Sequence, residues 1–185
     1  EHTEQDFPVL FLYRKEVTDS GGAGKFRGGL SAESCFIPHN TPLITQDTLS
    51  SGNATPTSTG MMGGYPGTTN EYKYVKNSDI QERIRSKTLI GDISEVSGEP
   101  VTLQLRQVNF EQTTSDVYSV VCSAAGGFGD PLDRDPELVK DDIECFSVSL
   151  KGAREIYGVV IDPDTNELDM EATEALRIEI REERL

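Results

Sequence analysis

Three glycines within four residues, Gly126, Gly127 and Gly129, stand between a β-favouring run and a helix start. The run Val117 to Ser123 is apolar and β-branched, as a buried strand requires. On the far side, Asp135 is a good N-cap and Pro136 a good first helical residue. A chain carrying such a joint must change from extended to helical structure there, and glycine is what lets the backbone turn sharply or approach another backbone closely. The sequence therefore predicts an α+β fold. A β-rich body with glycine-rich loops occupies residues 1–129, with a long loop over 49–70, and an acidic tail of short helices fills 130–185.

A second glycine cluster lies upstream. Asp19 to Gly29 holds five glycines in eleven positions. A phosphate loop of the G-x-x-x-x-G-K-[ST] type would need glycine where Asp19 sits and Ser or Thr where Phe26 sits, so that reading fails. A tight structural loop remains, with Lys25 and Arg27 available to an acidic group. These cations stand out because the chain carries a net charge of −15. That charge argues against nucleic acid or an anionic membrane surface as partner, since both attract cations. Residues 130–185 hold 17 Asp and Glu against 7 Lys and Arg, a net of −10. This excess is either a solvated helical face or a docking surface for a basic partner.

Further strands are expected over Pro8 to Val17, Leu30 to Ile37 (apolar at Leu30, Ala32 and Phe36), Leu43 to Thr48, Glu71 to Val75 and Val101 to Val108, where apolar and polar residues alternate. Residues 49–69 are rich in Ser, Thr, Gly, Asn and Pro. Met61, Met62 and Tyr65 at their end bring surface to bury, which favours a loop packed against another part of a larger protein over a mobile linker. In the tail, Leu138, Val139 and Ile143 should share one helix face. Ser147 should cap a second helix with Leu150, Ala153, Ile156 and Tyr157 inward and Gly158 ending it. Asp169 should cap a third, with Ala172, Leu176 and Ile180 inward and Arg177 outward.

Cys35, Cys122 and Cys145 are odd in number and far apart, matching neither a disulfide framework nor a zinc pattern. Buried thiols in a cytoplasmic protein are expected. His2 and His39 are the only histidines, with no nucleophile elbow and no second ligand beside them, so a catalytic triad or a protein-only metal site is not expected. No apolar run reaches the roughly 18 residues of a membrane span. The start at Glu1, without an initiator Met or signal-peptide pattern, suggests a piece of a longer polypeptide.

Four stretches together carry a family resemblance. Asp19 to Leu30 looks like the "DSGGAGxxRGG" signature of the hydantoinase B/oxoprolinase family. Gly126 to Pro136 is similar to its "GGGxGDPLxRDP", Ala153 to Val160 to "AREVYGVV", and Ala172 to Arg177 to "ATEALR". The chain departs from the pattern at Ala124-Ala125, where glycine is usual, and in its Ser50 to Gly60 insert.

The resemblance implies the C-terminal third of a B-type subunit in a cytoplasmic, ATP-dependent hetero-oligomer. Its members either carboxylate ketones such as acetone and acetophenone or hydrolyse cyclic amides. It implies partnership with the remainder of the subunit and with a hydantoinase A-type subunit that binds ATP, and a divalent metal held outside this segment. It transfers no catalytic, cofactor or metal residue to this chain. Lys25, Arg27 and Tyr65 are the candidates for lining a site or an interface. The Gly63 to Gly67 loop tilts the expectation toward the ketone carboxylases, with the amide hydrolases and a purely structural assembly role as alternatives.

Overall fold

The computed structural model describes residues 2–104 and 106–184. It is an α+β structure with seven strands and five short helices among the described residues. The strands are β1 (Val9–Val17), β2 (Ser31–Pro38), β3 (Leu43–Leu49), β4 (Glu71–Lys76), β5 (Glu99–Val101), β6 (Arg106–Thr113) and β7 (Val117–Val121). The helices are α1 (His2–Asp6), α2 (Ile80–Arg85), α3 (Pro136–Glu144), α4 (Leu150–Glu155) and α5 (Met170–Glu183).

Five strands form one sheet in the order β1-β2-β7-β4-β5, and β3 pairs with β6 in a separate two-stranded sheet. Strands β2 and β7, β4 and β7, β4 and β5, and β3 and β6 pair antiparallel.

The chain gathers into two compact units, each discontinuous in sequence. Unit 1 is Glu1–Lys15, Ala32–Thr55 and Asn70–Cys122, and unit 2 is Glu16–Ser31, Pro56–Thr69 and Ser123–Leu185. This division differs from a linear cut between residues 129 and 130, because both glycine-rich loops fold with the helices.

Unit 1 is built on Cys35, Ile37, Ile80, Ile90, Ile93, Val96 and Val117, with Leu10, Leu12, Tyr13 and Val75 packed against them. Unit 2 has its own core of Ala23, Val139, Val148, Ala153, Tyr157 and Val159.

Several expectations need correction. The predicted strand 101–108 is two elements: β5 ends at Val101, β6 begins at Arg106, and Leu105 lies outside the described residues. β2 buries Ser31, Glu33, Cys35 and Ile37, the set opposite to the one its apolar pattern suggested. Phe36 instead meets Phe11 and Tyr118 edge-on, at 5.8 and 5.3 Å between ring centroids.

In the tail, Leu138 and Leu150 are exposed, and Ser149 rather than Ser147 caps α4. Arg177 is half-buried, donating to Tyr157 O (3.0 Å) and Arg134 O (2.7 Å). The caps at Asp135 and Asp169 and the left-handed Gly158 (φ +61°) are as expected.

Candidate functional site

In unit 2, segments 20–29, 58–68 and 124–129 run together backbone to backbone. Gly22 N donates to Ala125 O (2.9 Å), Tyr65 N to Ala23 O (2.7 Å), and Gly127 N to Tyr65 O (2.9 Å). Met61 N donates to Gly127 O (2.9 Å), and Phe26 and Phe128 exchange a pair of bonds (3.0 and 2.9 Å). Glycine is required by this closeness. A Cβ on Gly22 would overlap Tyr65 O, and one on Gly127 would overlap Ala23 O. The backbone of the loop over 56–69 is therefore held inside its own unit. Its Met and Tyr side chains still point outward. Phe26 and Met61 are each 63% exposed and, with Phe128, form an apolar surface on the glycine assembly.

The three expected residues meet different fates. Lys25 pairs its backbone with Gly129 (N to O, 3.2 Å), and its exposed ammonium has no partner among the described residues. Tyr65 is pinned by its backbone, and its side chain is 42% exposed. Arg27 turns away from solvent. Its Nη2 lies 3.1 Å from Asp142 Oδ1, while Arg134 Nη2 donates to Asp142 Oδ2 at 2.8 Å. Arg27 thus binds a carboxylate, as its charge suggested, but the carboxylate is internal. Arg134 Nη1 also donates to Lys25 O (3.2 Å), tying this triad to the loop. Asp142 was missed because it falls in an acidic helix, where a buried carboxylate looks like any solvated one.

Several amides that a phosphate loop would direct at a ligand are spent internally. Gly22, Lys25, Phe26 and Gly28 all donate to backbone carbonyls. The residues of this segment therefore do not fit a nucleotide phosphate site. They do not fit a metal ion either: among the described residues no three His, Cys, Asp or Glu side chains converge.

Unit 1 holds a second cluster that the inverted reading of β2 concealed. The Glu33 carboxylate is buried. It accepts from Ser119 Oγ (2.7 Å) and Tyr13 Oη (2.9 Å), with Lys15 Nζ at 3.5 Å and Lys73 Nζ at 3.8 Å. Lys15 also binds Asp92 at 2.6 Å.

The Lys15 hydrogen bond and the Ser94 amide hold Asp92 well below the usual carboxylate range. Burial alone would lower Lys15, but its bonds to Asp92 and the Glu33 charge outweigh it, so the ammonium titrates above an ordinary lysine. Burial is the main cause that pushes the Cys35 thiol up to about 12 and raises the Tyr13 phenol, the latter helped by Cys35 and Glu33. A thiol so raised is not a nucleophile near neutral pH. The cluster is charge-compensated and well bonded, and it acts as a polar core.

Comparison with known proteins places these features. The family described as hydantoinase B/oxoprolinase matches residues 1–131. The acetone carboxylase alpha subunit of Xanthobacter autotrophicus is 31% identical over 96% of this chain and 25% of its own length. The caprolactamase subunit beta of Pseudomonas jessenii is 33% identical over 94% of this chain and 27% of its own. Among solved structures, nucleotide-free acetone carboxylase superposes with a TM-score of 0.81 at 30% identity, covering 96% of this chain and 25% of that one. The ATP-dependent caprolactamase from Pseudomonas jessenii gives 0.69 at 26%, covering 95% and 27%. The chain spans about a quarter of the length of these relatives, less than the third expected from its motifs. It matches only part of such subunits, and it belongs to the hydantoinase B/oxoprolinase family.

Proposed function

We propose that this chain is the C-terminal sector of a B-type subunit in an ATP-dependent ketone carboxylase of the acetone or acetophenone type. The observation that carries this reading is the TM-score of 0.81 with acetone carboxylase against 0.69 with caprolactamase. A second reading, an ATP-dependent cyclic amide hydrolase, is supported by the 33% identity to a caprolactamase subunit.

The complex would be a cytoplasmic hetero-oligomer of this subunit with a hydantoinase A-type partner. ATP, bound by that partner, supplies a phosphoryl group that activates a carbonyl or enolate oxygen. A divalent metal would sit in the part of the B-type subunit outside this segment. The segment itself contributes no catalytic residue. Its role is to hold the glycine assembly rigid and to present Lys25 and Tyr65 to whatever that face lines.

The two reactions make different demands. A carboxylase consumes ATP only when ketone and bicarbonate are both present, and it incorporates labelled carbon from bicarbonate. A lactamase couples ATP to ring opening with no need for bicarbonate. Assaying the purified complex with acetone or acetophenone plus labelled bicarbonate, and with caprolactam alone, separates them. ATP-dependent ring opening without carbon incorporation would replace the first reading by the second.

Lys25→Ala tests the segment's own part. If turnover falls while the complex stays assembled, this face lines the site. If subunits dissociate, it is scaffold. Arg27→Ala is the wrong probe, because it also uncovers Asp142.

A further inference from the structure

Unit 1 carries several clefts, and charge tells them apart. One of about 520 Å³ has both Lys73 and Asp92 in its wall, and one of about 370 Å³ has both Lys76 and Glu111. A third, of about 480 Å³, has no charged residue in its wall. The fourth, of about 430 Å³, is walled largely by apolar residues such as Leu10, Leu12, Ile80, Ile84 and Leu89, and its one charge is Lys87. In a chain of net charge −15, a cleft with a cation and no acid runs against the general trend.

Lys87 also stands in a demanding place. Its backbone is left-handed (φ +59°), a conformation that crowds any residue with a Cβ. α2 ends at Arg85 with Ser86 as its C-cap, so Lys87 occupies the position where helices most often end on glycine. The Lys87 amide donates to Ile84 O (3.1 Å) and the Thr88 amide to Arg83 O (2.9 Å), which fixes the turn. The helix end does not need this lysine for its dipole, because Arg83 and Arg85 already lie in the last turn. Its ammonium is exposed and meets no carboxylate among the described residues. Leu89, two residues on, lines the same cleft and is 89% exposed, so open apolar surface lies close to the charge.

We propose that this cleft is a binding site for a small carboxylate with an apolar body, its chain against Leu10, Leu12, Ile84 and Leu89 and its head on the Lys87 ammonium. The volume and the mostly apolar wall with one orienting charge are those of a small-molecule pocket. One point charge suits a singly charged head, whereas a phosphate dianion calls for several donors. Apolar contact supplies most of the affinity. The ion pair, on an exposed cation, decides which sign of charge is accepted more than how tightly it is held. The site stands whichever reaction the complex performs.

The test titrates octanoate, below its micelle concentration, into the isotopically labelled chain. Binding should saturate with a dissociation constant of about 1 mM or less and shift the methyl signals of Leu10, Leu12, Ile84 and Leu89. Octylammonium, with the same body and the opposite charge, should bind roughly tenfold more weakly. Lys87→Asn keeps a residue that tolerates the left-handed backbone and should weaken octanoate roughly threefold. Lys87→Glu should reverse the preference, so that octylammonium binds better. Leu89→Ser, at an exposed site, should weaken both probes roughly threefold, and Ile178→Ser, on α5, should change neither.

Absence of a saturable shift at those four residues overturns the proposal. So does octylammonium binding as well as octanoate, or a preference that Lys87→Glu leaves unreversed. A doubled mass of the chain alone, with the same methyls protected, overturns it in favour of a second copy as the occupant.

Discussion

Unit 1 is held by side chains and unit 2, around its glycine loops, by backbone. In unit 1, Ile37, Ile80 and Val117 fill a conventional core, and each could lose a methyl group with only a local consequence. In unit 2, segments from three parts of the chain lie so close that no Cβ fits at Gly22 or Gly127. The difference teaches where tolerance lies. A core of side chains absorbs change by repacking, whereas crossed backbones have nothing to move.

The largest effect should therefore come from the smallest substitution. Gly127→Ala must push apart Ala23 and its neighbours and break bonds such as Met61 N to Gly127 O. It should cost more than about 3 kcal/mol, beyond ordinary overpacking, and be seen as loss of the cooperative thermal transition or of soluble protein. A Gly127→Ala chain as stable as the parent would show that the backbones can separate.

Asp142→Ala leaves Arg27 and Arg134 facing each other without their shared carboxylate. Removing one member of such a buried group costs about 3–5 kcal/mol, read as a lower urea midpoint.

The next effect belongs to unit 1. Burial would raise Asp116, but amides of Thr113 and Asn77 and the hydroxyls of Thr113 and Tyr74 outweigh it and hold the carboxyl below its ordinary value. A lowered folded value means that this stabilisation is complete above the ordinary carboxyl range, near pH 4. It is lost as pH falls through the folded value. Asp116→Asn should cost about 2 kcal/mol at neutral pH and flatten the acid limb of a stability–pH profile. An unchanged acid limb would remove Asp116 from the account.

Ile37→Val deletes one methyl from a buried site and should cost about 1 kcal/mol. Smallest of all, Lys25→Ala should leave the unfolding midpoint unchanged, because its ammonium is exposed. Any effect there belongs to turnover or assembly.

Much of this contrast was legible in the residues. Glycine clusters at 21–29 and 126–129 announced close backbone approach, and the caps at Asp135 and Asp169 set the helices. Glycine says that a backbone is near but not which one, so the meeting of 20–29 with 58–68 and 124–129 was not readable. β2 was placed correctly but turned over: the sequence offered Phe36 as a core residue, while its ring packs with Phe11 and Tyr118 and Glu33 goes inside. A carboxylate becomes an inward residue only when partners such as Ser119, Lys15 and Lys73 arrive from elsewhere, and no local pattern records them. β6 was missed over 109–113 because its residues are mostly polar. Its Gln112 is fully buried, satisfied by Gln46, Phe36 O and Asp116 O. For the candidate site, Lys25 and Tyr65 were found at the surface, and Arg27 was found with the right charge and an unforeseen partner.

The glycine assembly also imposes an order on biosynthesis. Its first strand of backbone leaves the ribosome about a hundred residues before its last, Gly126 to Gly129. Unit 1 closes with Cys122, so it can fold while the first two glycine segments still wait as unpaired loops. Such long-range closure is slow and exposes apolar surface in the interval. A nascent chain stalled after Cys122 should therefore resist protease in its sheet while remaining cleavable at Gly21 to Gly29, and that protection should appear only once Asp130 has emerged.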